Sequence, residues 1–179
     1  MGDRKGKVWK GIVAGTAGGF AGTVAMSQFQ QVWSKAAESL QSNGNKSEQQ
    51  SRNQSGGESE DPTMKAAGKI ASAAGRELSS DEKKKAGSVL HYTFGTSMGA
   101  VYGAAMELAS RDVRRNPELA GMGFGTLLFA GADEIAVPAL QLSERPDKTP
   151  LSSHLYSLAS HVVYGLAAGT VYRALRRAL

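Results

Sequence analysis

The sequence predicts an all-α protein, a bundle of four transmembrane helices. Three observations lead there. Four stretches rich in Gly, Ala, Val and aromatic residues, roughly 8–29, 87–109, 118–141 and 153–174, are each long enough to cross a hydrocarbon core of about 30 Å at about 1.5 Å per residue. Small residues recur four apart in all of them. And one phrase is written twice: residues 91–104 read HYTFGTSMGAVYGA and residues 161–174 read HVVYGLAAGTVYRA, identical at six of fourteen positions. A mean hydropathy of −0.29 suggests a soluble chain, but it averages these stretches with strongly polar ones.

Trp9 and Trp33 bracket the first stretch. Their separation as helix is about 36 Å, near the spacing of two interfacial aromatic belts. Two alternatives stay open. A soluble bundle shows similar runs, since Gly and Ala are only weakly apolar. Arg4, Lys5, Lys7 and Lys10 before an apolar run, with small residues around Ala25, also fit a signal peptide. Against cleavage, three more candidate spans follow and the helical pattern continues past Trp33 to Leu40. Residues 41–61 contain no apolar side chain larger than glycine, so they cannot bury enough surface to offset ordering and are expected to be disordered.

Asp61-Pro62 then reads as a helix start, with Pro at the first helical position. Met64, Ala67, Ile70, Ala71, Ala74 and Leu78 recur at helical spacing, predicting a short amphipathic helix over 62–78 on the outer surface. Ser79 followed by Glu82 fits a capping box that starts the helix of the second span.

The third span reads GMGFGTLLFAGADEIAVPALQL. Ending it at Ala132 leaves about 20 Å from Ala120, too short to cross, so Asp133 and Glu134 fall at membrane depth. Pro138 has no amide to give the carbonyl of residue 134, which predicts a kink beside two carboxylates. Such broken spans are tolerated where they line protein or water. By depth, Asp133, Glu134, His91, His154 and His161 all fall in the outer half, with His154 two turns before His161 and Ser157 between. Charged and imidazole groups are costly in lipid and need a reason. A register-fixing hydrogen bond or ion pair among Asp133, Glu134 and His161 is one reason; a proton, metal or small-solute site is the other. His91 and His154, nearer the interface, read as solvated or capping residues. Glu107, at the cytoplasmic end, is expected to snorkel or pair with Arg111 or Arg114.

Glycine spacing explains the rest. Gly11, Gly15 and Gly19, Gly18 and Gly22, Gly95, Gly99 and Gly103, Gly121 and Gly125, and Gly165 and Gly169 form ridges on which two backbones approach closely, the packing that replaces the hydrophobic effect in lipid. The second and fourth spans run the same way, so the repeated phrase sits at matching depth. A duplicated helical hairpin is the simplest account, and chance among few residue types the alternative.

Lys and Arg beside short segments (the N-terminus, Arg111, Arg114 and Arg115, and Arg173, Arg176 and Arg177) place both termini in the cytoplasm. The net charge of +5 is spread beside the spans and not in an aromatic-interleaved stripe, which argues for anionic lipid head groups and against nucleic acid as partners. Cysteine is absent, excluding disulfides, thiolate metal sites and cysteine nucleophiles. No Walker loop, dinucleotide loop, HExxH or oriented triad is readable, so neither an enzyme nor a cofactor is expected.

The HYTFGTSMGAVYG and HVVYG phrases, the GADEIAVPAL stretch and the loop before the last span resemble the YagU-like family of bacterial inner-membrane proteins of unknown function. The likeness covers about two thirds of the chain, omitting 41–61 and the extreme N-terminus. It implies a multi-span protein of the bacterial inner membrane, with no catalytic residues to carry over. The expected role is a structural or assembly component, with homo-oligomerisation through glycine ridges. Proton, ion or small-solute transport through the carboxylate–histidine cluster is the alternative.

Overall fold

The computed structural model describes residues 2–42 and 60–179. The protein is all-helical, and no strand occurs among the described residues. α1 (Gly2–Ser42) runs without a proline. α2 (Pro62–Ala73) starts where Asp61 Oδ1 accepts the amides of Thr63 at 2.8 Å and Met64 at 2.9 Å, with Pro62 in the first turn. These are the orphan donors that an N-cap satisfies. Gly75 at φ +75° then turns the chain, and the Arg76 amide reaches back to the Ala71 carbonyl. The helix therefore stops at Ala73 and not at 78, because a left-handed glycine followed by a back-reaching amide closes it.

α3 (Ser80–Leu108) carries the capping box: the Ser79 amide donates to Glu82 Oε2 at 2.9 Å, and the Glu82 amide to Ser79 Oγ at 3.4 Å. After the short α4 (Arg111–Arg115), Pro117 opens α5 (Pro117–Leu128). A π-helical segment, Phe129–Ala136, and α6 (Val137–Ala139) continue it. α7 (Leu151–Ala178) is the last helix.

The long helices stand side by side in the order α3, α1, α7, α5; α3 and α5 touch only slightly. Both chain ends lie at one end of this array, where Lys10 Nζ donates to Leu179 O. α2 covers the other end.

Backbone meets backbone at each of the three main contacts. A Cβ on Gly19 would lie 2.6 Å from both the Gly95 carbonyl oxygen and Gly99 Cα. Gly15 and Gly11 face Gly99 and Gly103 in the same way. On the other face of α1, a Cβ on Gly18 would sit 2.7 Å from the Ala168 carbonyl, and one on Gly22 equally close to that of Tyr164. Gly121 and Gly125 meet the backbones of Gly165 and His161, and Gly169 meets Pro117. Gly165, four residues after the second repeated histidine, meets Gly121, whereas Gly95, after the first, makes room for the Thr23 side chain and sets its carbonyl against Gly19. A carbonyl or Cα cannot swing aside as a side chain can, so these positions have no room for a larger residue.

The core is apolar where Ala14, Tyr102, Met106 and Tyr172 pack together, but polar groups are buried with it. Thr23, Ser160, His161 and Glu107 are buried. Large apolar side chains face outward on every long helix: Phe20 is 54% exposed, Val101 50%, Leu127 70% and Leu166 44%.

Three expectations need adjustment. The stretch Pro117–Ala139 is long and apolar enough to cross a membrane; α1, α3 and α7 fall below that measure among the described residues, their apolar content diluted by glycine, alanine and polar groups. In α2, Met64 and Ala67 are buried, but Ile70 of the same predicted stripe is 61% exposed. Of the loop predicted over 41–61, residues 41 and 42 end α1 and Asp61 caps α2, while 43–59 lie outside the described residues.

Candidate functional site

The third long helix changes register where its carboxylates begin. Within Phe129–Ala136 the ladder is i→i+5, so the Val137 amide bonds to the Ala132 carbonyl and passes over that of Asp133. Pro138 has no amide for the carbonyl of Glu134. The irregularity predicted at Pro138 therefore begins nine residues earlier, as a change of winding. The helix then ends at Gln141, φ +56°, with the Leu142 amide on the Val137 carbonyl. Single π turns inside α-helices mark functional positions often enough to direct attention here.

Asp133 and Glu134 reach α7 and take different partners. Ser157 Oγ donates to Asp133 Oδ2, and His161 Nδ1 lies 3.7 Å from the same oxygen while donating to the Ser157 carbonyl at 2.9 Å. Glu134 Oε1 pairs with His154 Nδ1 at 2.6 Å, and His154 Nε2 faces the Pro146 carbonyl at 3.1 Å. Two acceptors require two N–H groups, so the His154 ring donates on both sides as an imidazolium does. His154, expected from its position to be a solvated or capping residue, is thus a paired one. Glu134 and His154 tie the end of the third helix to the start of α7.

Asp133 and His161 belong to something else. They line a cleft of about 590 Å³ together with His91 of α3, Thr23 of α1 and the start of α2 at Asp61–Thr63. His91 Nε2 is buried and has no hydrogen-bond partner, the one such side-chain atom among the described residues. An unpaired buried nitrogen costs about 1–3 kcal/mol, which a ligand or water with the right group offsets. The predicted five-residue cluster therefore divides in two: Asp133, His161 and His91 on the cleft, Glu134 and His154 beside it. Among the described residues no group of three or more His, Asp and Glu side chains is placed to hold a metal ion.

The chain matches no family model, no curated protein and no solved structure.

The opposite end of the bundle holds a second polar network. Glu107 is buried and takes Tyr172 Oη at 3.0 Å on Oε1, with the Arg176 guanidinium on both oxygens. The expected partners, Arg111 and Arg114, are replaced by α7, and Arg114 reaches only the Glu107 carbonyl, at 3.4 Å. The Glu107 hydrogen bond, outweighing partial burial, raises the Arg176 guanidinium above its ordinary range. Arg173 pairs with Glu118 at 2.8 Å. Tyr102 Oη donates to the Pro117 carbonyl, and its ring meets that of Tyr172 edge-on at 5.5 Å. Sequence reading gave these tyrosines no role, although they are the repeated Val-Tyr pair of the two phrases. Their equivalence by the repeat was the available signal.

Proposed function

We propose that the chain is an integral membrane protein that binds a small solute in the cleft walled by Asp133, His161 and His91. The observation that carries this is the unpartnered His91 nitrogen, set with a carboxylate and a second imidazole on a cleft of ligand size, beside a helix wound out of register. The large apolar side chains turned outward on all four long helices support a bilayer around them. A bacterial inner membrane with both termini cytoplasmic fits the resemblance to YagU-like proteins and the flanking Lys and Arg. In that orientation the cleft lies in the outer half.

The glycine ridges bear on the alternative role in assembly. The paired glycines face helices of their own chain, so their close packing serves the fold of one subunit. A site for solute binding is the reading left with unspent chemistry.

The absence of cysteine makes the test clean. Single cysteines replacing Ala132 in the cleft and Leu127 and Leu166 on the outside are reacted with N-ethylmaleimide in liposomes. A thiolate forms only where the site is polar or wet. Cys at 132 is expected to react at least tenfold faster than the other two. Equal rates would sink the cleft as a polar site. Fast reaction of the outer pair with a membrane-impermeant maleimide would sink the bilayer reading.

A further inference from the structure

The walls of the cleft say from which side it is entered. Its back is α1 and α7, which contribute Thr23, Ser157, His161 and Tyr164. Its floor is closed where Tyr164 Oη donates to the Gly95 carbonyl at 2.7 Å. Further down, the Tyr102 and Phe124 rings meet at 5.5 Å. Its roof is α2, which bridges the gap between α3 and the third helix. Lys69 Nζ donates to the Leu140 carbonyl at 2.7 Å on one side, and Lys83 pairs with Glu60 at 2.8 Å on the other. Gly87 brings α3 so close to α2 that a Cβ there would lie 2.9 Å from the Met64 nitrogen. The front is different. α3 and the third helix hardly touch, and Phe94, 45% exposed, and the exposed Ala136 stand at either side of the gap.

Resting on the reading of this cleft as a binding site within a bilayer, we infer that its ligand is a membrane amphiphile with an uncharged hydroxyl or cationic amine head, entering sideways between α3 and the third helix. Roof and floor block the long axis, so the open side faces the region where acyl chains lie. The apolar front, with Phe94, Leu128 and Ala136, suits a chain. The inner wall suits a donor head: Asp133 accepts, and His91 Nε2 accepts or donates according to its tautomer. Asp61 and Asp133 on the same walls disfavour a phosphate or carboxylate head.

The test uses the full-length protein with cysteine at 132 in liposomes. Hexadecanol is expected to slow N-ethylmaleimide at that cysteine at least fivefold, and palmitate to have little effect. Ala136→Trp, which fills the side entrance, should remove the protection by hexadecanol. A photoreactive long-chain alcohol should label peptides at 94 and 128–136, with His91→Ala and Asp133→Asn each reducing labelling at least threefold. Even labelling of all outward faces, unchanged by these substitutions, would mean surrounding lipid only and would overturn the inference. So would protection by ethanolamine but not by hexadecanol. In both cases a reactive cysteine at 132 keeps the binding reading alive, whereas an unreactive one fails that reading itself.

Discussion

The two ends of the bundle use similar residues to opposite ends. At the chain termini, Glu107, Tyr172, Arg176, Arg173 and Glu118 satisfy one another, and two tyrosines pack ring to ring. At the α2 end, Asp133, His161 and His91 surround open space, and a nitrogen is left without a partner. Buried polar groups that are all paired fix geometry; those left partly unpaired cost stability and are kept where a ligand completes them. The first network is a clasp, and the second is what we propose as a site. What separates them is completeness of pairing, since both are built from carboxylates and their partners on the same helices.

The largest blow to both ends should come from neither. Gly19→Leu must force α1 off α3, because backbone atoms at 2.6 Å block even a methyl group. A loss of more than about 3 kcal/mol is expected, beyond ordinary overpacking. Gly123→Ala, where an added Cβ meets nothing within 4 Å, should gain up to about 1 kcal/mol from helix propensity. Thermal unfolding in detergent reads both, and equal outcomes would dismiss backbone contact as the organising force.

Next comes the contrast itself. Glu107→Gln removes the charge from a buried pair whose partner Arg176 keeps 25% side-chain exposure, so about 2 kcal/mol is expected, below the range for fully buried pairs. Asp133→Asn, with 35% side-chain exposure on an open cleft, should cost less than about 1 kcal/mol. If Asp133→Asn proves the more damaging, the α2 end is a clasp too.

The smallest effect touches the rim at the start of α3. The Ser79 amide, then the Ser79 hydroxyl and Arg76, hold the Glu82 carboxyl below its usual range. A lowered folded pKa means stability present above the unfolded value, near about 4.3, and lost as pH falls through the folded one. The protection of the 79–83 amides, taken relative to their intrinsic exchange rate at each pH, should therefore fall between about pH 5 and pH 3, and Glu82→Gln should remove that dependence. The exposed position keeps the change local.

Much of this was legible in the letters. Asp61-Pro62 and Ser79-x-x-Glu82 name their caps through short-range hydrogen bonds, which depend on neighbours alone. Several of the spaced glycines lie where two backbones come close, an approach that larger residues block. Partner choice was not legible: Glu107 takes α7 instead of the nearby Arg111 or Arg114, and nothing local encodes that crossing. Nor was the hydrogen bond of His154 to the Pro146 carbonyl, which depends on where the loop before α7 folds back. The length of α2 was lost to Gly75, whose left-handed turn outweighs the helical spacing that continues to Leu78.

The i→i+5 winding decides which residue the cleft receives. Gly125 faces α7, and at about 100° per residue an unbroken α-helix would bring Ala132 nearest to the same bearing. The wider turn absorbs one residue and retards the phase, so that Asp133 comes to that bearing and meets Ser157, with Ala132 beside it on the cleft. A helical wheel drawn through this segment points the carboxylate some 80° away from where it stands. The chain has placed its charge by miscounting, one residue late, at the depth where regular winding would have set a methyl group.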